Sequence, residues 1–346
     1  MSFKTIEYKY GKIKIIDQSK LPDKLEYLYI SNIKDLRQAI RRLSVRGAPA
    51  LGACAELGVY LGIRDFKGND YGSFIRKLKK VSGYLASSRP TARNLFWGIE
   101  RVSNIAFKNK GLSVGTIKAL ILEEALNIIN EDKESCRNIG RYGASLIKNN
   151  DGILTICNAG ILATCGYGTV LGVLYRAKEK GKIFKVYISE TRPLLQGARL
   201  SAWELKKKGI DALVICDNTA AALMQQGKVS LVIAGADRVA LNGDTANKIG
   251  TYNLAILCKY HNIPFYIAAP ASTFDLSLRS GKDIIVEERE PKEVSTLLFK
   301  REISPKGIKV MNPAFDVTGH RLITAIITDY GIIRSPLDKN IRKILC

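Results

Sequence analysis

The chain has 346 residues, 46% hydrophobic and 25% charged, with 54 Lys+Arg against 32 Asp+Glu for a formal charge of +22. That length supports two or three domains with a sizeable core, and the apolar share excludes global disorder. No apolar run approaches the ~18–20 residues of a membrane-spanning helix. The opening MSFKTIEYKYGKIKIIDQ has no signal-peptide core, so a cytoplasmic protein with no membrane partner is expected.

The first part, residues 1–125, reads as a mainly helical domain. It opens with a small hairpin over Ile6–Ile15 that turns at Tyr10-Gly11-Lys12. Helical patterns follow at Asn32–Leu43, Ala48–Phe66, Tyr71–Ala86 and Thr91–Lys108. Gly47 breaks the chain before the second of these, and Pro49 suits a first helical turn. Thr116–Asn130 and Glu131–Ile147 read as two further helices.

From Asp151 the texture changes. The runs GILTI, KVYIS, DALVIC, SLVIAG and IPFYIA alternate with helical patterns at ILATCGYGTVLGVLYRAKEKG, Gln196–Lys208, Thr219–Gln226 and Thr245–Tyr260. Such alternation predicts right-handed crossovers and a parallel sheet covered on both faces. Residues 126–346 are therefore expected to form a Rossmann-like α/β domain, and the fold class is α/β. Lys282–Thr296 reads as an excursion folding back on the site, and RSPLDKNIRKILC as a surface tail.

The charge does not identify a partner. Arg76–Lys80 and Lys206–Lys208 lie on helical patterns as solvated faces, and basic residues nowhere interleave with aromatics, so nucleic acid is not expected. Seven cysteines lack C-x-x-C pairs and zinc-ligand spacing, which suggests free thiols in a reducing compartment. Cys54, Cys136 and Cys258 sit in apolar helical stretches and read as core residues.

In an open parallel sheet, ligands bind beyond the carboxyl ends of the strands. Those ends carry Cys157-Asn158-Ala159-Gly160, Glu190-Thr191-Arg192-Pro193, Cys216-Asp217-Asn218, Ala236-Asp237-Arg238 and Pro270-Ala271-Ser272-Thr273. Cys157 is either a small core residue or a reactive thiol, with backbone amides near a helix start to lower its pKa or cradle an oxyanion. Asp237 is either ion-paired with Arg238 or a carboxyl raised by desolvation and suited to donating a proton. Asn242-Gly243-Asp244-Thr245 reads as a helix opening, with Asn247 and Lys248 contacting an anion from its first turn. Arg46-Gly47-Ala48 and Arg89-Pro90-Thr91 each set an arginine before a helix start, either as a phosphate site or as an exposed arginine beside a capping turn.

Other patterns are set aside. Gly166-x-Gly168-x-x-x-Gly172 has the wrong spacing for a dinucleotide loop and falls in a helical pattern. His261 and His320 are the only histidines, too few for a Ser-His-Asp set or a histidine metal cluster. His261 ends a helix, where a cation is favourable, and His320 reads as a surface turn residue. A site without metal or cofactor is expected.

Taken together, RGAPALG, RPTARNLFWGIERV, ILTICNAGILATCGYGTVLGV, ETRPLLQGARLSAWEL, GADRVALNGDTANKIGTYNLA, IPFYIAAPAST, EEREPKEV and NPAFDVT resemble the methylthioribose-1-phosphate isomerase family over almost the whole chain. Regulatory subunits of eukaryotic initiation factor 2B and ribose-1,5-bisphosphate isomerases are relatives of that family. The resemblance implies conversion of 5-methylthioribose 1-phosphate to 5-methylthioribulose 1-phosphate in methionine salvage. It implies Asp237 as proton donor, Cys157 as its partner or transition-state stabiliser, and Arg46, Gly47, Ala48, Arg89, Gln196, Asn247 and Lys248 as substrate-binding residues. It also implies a homodimer.

A low-dielectric pocket without a strong base favours hydride over proton transfer. The sequence departs from the family at Ile156, where members usually carry His, and at Leu194-Leu195 and Gly319-His320, which bears on the sugar 5-substituent. Isomerisation of ribose 1,5-bisphosphate or 5-deoxyribose 1-phosphate is the alternative within enzymes. A non-catalytic regulatory subunit is the alternative outside them, and a pure scaffold has no need of both Cys157 and Asp237.

Overall fold

The computed structural model describes residues 3–89, 91–296 and 301–345; Pro90 and Cys346, both used above, lie outside the described residues. The chain divides into two compact units, Met1–Cys136 with Ile161–Gly168, and Arg137–Gly160 with Thr169–Cys346.

The first unit opens on the hairpin β1 (Ile6–Lys9) and β2 (Lys12–Ile16), to which β3 (Tyr27–Ile30) adds antiparallel on β2. Tyr10 and Gly11 both have positive φ, as a tight two-residue hairpin turn requires. Helices α1 (Ile33–Arg41), α2 (Ala48–Ile63), α3 (Tyr71–Ala86) and α4 (Arg93–Lys108) follow. Asn32 and Asp70 cap α1 and α3 with their side chains. Nearly every residue of α2 is buried, as expected of a helix apolar on all faces. Where two helices had been expected, α5 (Val114–Gly143) is one continuous helix. No Gly or Pro interrupts Asn130-Glu131, and the buried series Ile128, Ile129, Asp132, Cys136, Ile139 carries through the junction.

In the second unit the elements are β4 (Asp151–Thr155), α6 (Val170–Glu179), β5 (Phe184–Ser189), α7 (Ala202–Lys207) behind a π-helical turn at Gly197–Ser201, β6 (Ala212–Ile215) and α8 (Ala220–Gln225). Next come β7 (Leu231–Ala234), β8 (Arg238–Ala240), β9 (Thr245–Lys248), α9 (Thr251–Tyr260), β10 (Phe265–Ala268) and β11 (Phe274–Asp275). The chain finishes with α10 (Lys292–Ser295), β12 (Phe315–Thr318), β13 (Ala325–Thr328), β14 (Gly331–Arg334) and α11 (Leu337–Leu345).

The main sheet has the order β14-β13-β10-β7-β4-β5-β6, parallel except for β14. This is the expected α/β architecture with a helical N-terminal region. Strands β7, β10 and β13 are buried along their whole length, which is why they read as unbroken apolar runs. A smaller sheet, β11-β8-β9-β12, was not anticipated.

Three local expectations fail here. Residues 164–169 are not helical, because Thr164 Oγ1 accepts from the Gly166 and Gly168 amides and Gly168 has φ +89°, so α6 starts only at Val170. Thr245–Lys248 is strand β9, paired with β12 about 70 residues later, and the helix starts after Gly250. The C-terminal segment is no surface tail: β14 completes the sheet, and Leu337 and Ile341 of α11 are buried in its core.

Candidate active site

The sheet order fixes where chemistry belongs in the second unit. From β4 the chain moves outward to β5 and β6, then returns to β7 on the other side of β4 and continues to β10 and β13. The order reverses between β4 and β7, and an open α/β sheet binds ligands beyond its carboxyl edge at such a point. Cys157 follows β4 and Asp237 follows β7, and these neighbouring strands pair through Ile153–Leu231 and Leu154–Val232. The segments also pack together: a Cβ added at Gly235 would lie 3.1 Å from Ala159 Cβ and 3.9 Å from Asn247 Oδ1.

Cys157 is half-buried and left-handed, with φ +63°. No helix begins there, and its own amide is occupied by donation to Thr191 Oγ1 at 2.8 Å. The Cys157 amide itself is thus not open to an oxyanion. Ser201 Oγ donates to the Cys157 carbonyl at 2.7 Å, and Asn158 Nδ2 donates to Ser201 Oγ at 3.1 Å and Glu204 Oε1 at 2.8 Å. Buried Glu204 also accepts from Tyr175 OH at 2.9 Å. The π-helical turn places Ser201 for this role; such turns recur at functional sites. Thr191, Ser201 and Glu204 were missed as bracing residues, although their motifs ETRP and GARLSAWEL were in view. Ile156 is a core residue.

Asp237 is half-buried, and its backbone amide donates to the Ala246 carbonyl at 2.9 Å, tying it to β9. Arg238 makes an ion pair with Asp275 at 3.7 Å. Asn247 is buried and donates to Thr251 Oγ1 at 2.9 Å. Lys248 is buried too, with Nζ donating to the Ala314 carbonyl at 2.8 Å and lying 4.7 Å from the Phe315 ring centre. Asp316, opposite Asn247 in the β9–β12 register, accepts from the Gly250 and Tyr252 amides and so fixes the start of α9. Burial pushes its carboxyl up to about 6 against those amides, which lower it. Gln196 is buried, and its Oε1 has no hydrogen-bond partner, an acceptor open to a ligand hydroxyl.

His320 is not simply a surface residue: its Nδ1 lies 2.7 Å from Asp244 Oδ1. Asp244 leads into β9 rather than into a helix, and it accepts from the His320 and Gly281 amides. Burial alone would raise the Asp244 carboxyl, and these hydrogen bonds hold it below the usual carboxylate range.

In the first unit, Arg46 and Arg89 are buried rather than exposed. Gly47, at φ +92°, precedes α2, and a Cβ there would lie 2.5 Å from the Ala163 backbone. Ala48 begins α2 with Pro49 behind it, and neither α2 nor α4 has a side-chain cap. The two helices run side by side in the same direction, since Gly52 meets Asn94 and Gly98 meets Gly52 and Glu56. Their N-termini, without side-chain caps, therefore lie at the same end of the pair, and helix-start amides with guanidinium groups suit a phosphate.

Among the described residues, no group of three or more His, Cys, Asp or Glu is arranged to hold a metal, and no helix is long and apolar enough to cross a membrane.

Residues 44–335 match the sequence model of the initiation factor 2 subunit family. The chain is 51% identical over 340 residues (98% of this chain, 97% of the relative) to 5-deoxyribose 1-phosphate isomerase of Moorella thermoacetica. It is 49% identical over 345 residues (100% and 99%) to methylthioribose-1-phosphate isomerase of Geotalea uraniireducens. The solved structure of 5-methylthioribose 1-phosphate isomerase from Pyrococcus horikoshii OT3 matches with a TM-score of 0.89 and 43% identity, over 99% of this chain and 95% of that one.

Proposed function

The chain belongs to the initiation factor 2 subunit family, and we propose that it is an aldose–ketose isomerase converting 5-methylthioribose 1-phosphate to 5-methylthioribulose 1-phosphate, a step of methionine salvage. The observation that carries this reading is the pairing of β4 with β7, which sets Cys157 and Asp237 on adjacent strand ends at the reversal of the sheet order.

Phosphate on C1 locks the sugar as a ring. Asp237 protonates the ring oxygen, and the bond from that oxygen to C1 breaks. Hydrogen then leaves C2 for C1 as the C2 hydroxyl loses its proton and becomes a carbonyl, so no external oxidant or reductant is consumed. Cys157 stabilises the charge that develops during this transfer. In the first unit Arg46, Gly47, Ala48 and Arg89 take substrate-binding roles, with the guanidinium groups and helix-start amides suited to the phosphate. Gln196, Asn247 and Lys248 are the further substrate-binding residues of this reading.

The relative from Moorella thermoacetica favours a second substrate of the same class, 5-deoxyribose 1-phosphate. Incubation of the purified protein with methylthioribose 1-phosphate, 5-deoxyribose 1-phosphate and ribose 1,5-bisphosphate, with ketose formation followed, separates these readings. The proposal includes a cytoplasmic homodimer, which light scattering would register as about twice the 38.2-kDa chain.

A further inference from the structure

Cys157, Thr191 and Leu195 are all non-glycine residues with positive φ, and all three lie along the loops that follow β4 and β5. Side chains rarely adopt that conformation, which persists only where surrounding groups over-determine it. Thr191 is held in this way: its amide donates to Asp217 Oδ1 at 2.8 Å, and its carbonyl accepts from the Leu195 amide at 2.8 Å. The next amide, of Arg192, donates to Asp217 Oδ2 at 2.7 Å.

Thus fixed, the Thr191 hydroxyl donates to the Ser189 carbonyl at 2.9 Å and accepts from the Cys157 amide at 2.8 Å. Gly197 makes room for this arrangement, since a Cβ there would fall 1.8 Å from Ser189 O and 2.9 Å from Thr191 Oγ1. The Cys157 peptide is gripped by one hydroxyl on its amide and by Ser201 on its carbonyl.

We propose that Thr191 is a positioning residue of the isomerisation, its fully buried hydroxyl locking Cys157 in the left-handed conformation that aims the thiol, with Asp217 holding Thr191 in turn. The inference rests on the catalytic role given to Cys157 above. Backbone φ sets the direction of the Cα–Cβ bond, so a relaxed Cys157 carries its sulfur elsewhere, and a misplacement of about 1 Å costs on the order of 100-fold in rate.

The test compares Thr191→Val, Thr191→Ser, Asp217→Ala and Cys157→Ala by kcat and KM. It adds the pH profile of Cys157 alkylation by iodoacetamide, read by peptide mass spectrometry. Thr191→Val is expected to lower kcat about 100-fold with KM within about threefold, and to shift the alkylation profile; Thr191→Ser, which keeps the hydroxyl, restores both. Asp217→Ala, at a partly exposed strand end, gives the same pattern at about a tenfold loss, which keeps the test valid if Thr191→Val does not fold. Near-normal kcat in Thr191→Val beside an inactive Cys157→Ala, or no recovery in Thr191→Ser, overturns the inference. Normal turnover in Cys157→Ala would instead remove the role given to Cys157, and an unchanged alkylation profile in Thr191→Val would then overturn the clamp on its own.

Discussion

Glu56 lies in the middle of α2, fully buried, with neither carboxyl oxygen hydrogen-bonded. Burial pushes its carboxyl up to about 9; Arg101 pulls it down, while Glu124 and Glu131 add to the rise. In the unfolded chain a glutamate titrates near ~4.3. The folded value is the higher one, so the native state binds the extra proton between the two values and stability falls as pH rises through that window. Below it the contribution is fully present.

Each pH unit inside the window costs about 1.4 kcal/mol, hence about 4 kcal/mol between roughly pH 5.5 and 8.5. Glu56→Gln cannot ionise and loses this dependence. Asp132 and Asp316, each pushed up to about 6 by burial, are present in both proteins and cancel in the difference. The assay is urea unfolding across that pH range, followed by Trp97 fluorescence in a Trp203→Phe background, since the chain has only two tryptophans. The stability advantage of Glu56→Gln should widen steadily with pH. Curves that run parallel would refute the argument that Glu56 is held protonated by its surroundings.

Other expectations follow from the same reasoning. Gly47→Ala brings a Cβ to 2.5 Å from the Ala163 backbone at a φ of +92°, so a loss of about 3 kcal/mol by thermal or urea unfolding is expected. Asp244→Ala leaves the Gly281 and His320 amides without their acceptor and should cost about 1–3 kcal/mol in unfolding free energy. Deuterium placed at C2 of the sugar should be retained at C1 of the ketose, by mass spectrometry of the product; loss to solvent would point to an enediol instead.

What the sequence made legible was local or strongly periodic. The hairpin turn at Tyr10-Gly11, the bounds of α3, and the buried runs of β4, β7 and β10 each carry their own signal in composition and spacing. The segments at the strand ends, Cys157 and Asp237 among them, follow from those runs. Long-range pairing was not legible. Thr-Ala-Asn-Lys has no strand signature of its own and becomes β9 because Phe315–Thr318 pairs with it. The bracing of Cys157 by Thr191 and Ser201 joins residues 34 and 44 positions away, beyond the reach of any local pattern. Gln196 came only from the family resemblance, since its open acceptor is a property of packing rather than of neighbouring residues.

The most direct measurement is carbon-13 NMR of methylthioribose 1-phosphate labelled at C2, with the native protein, Asp237→Asn and Cys157→Ser run in parallel. The native protein should move the label from a carbinol to a ketone signal, and each variant should slow that conversion by at least about 100-fold. No ketone signal with the native protein, or native rates in either variant, would contradict the claim that this thiol and this carboxyl perform an isomerisation at the sheet's point of reversal.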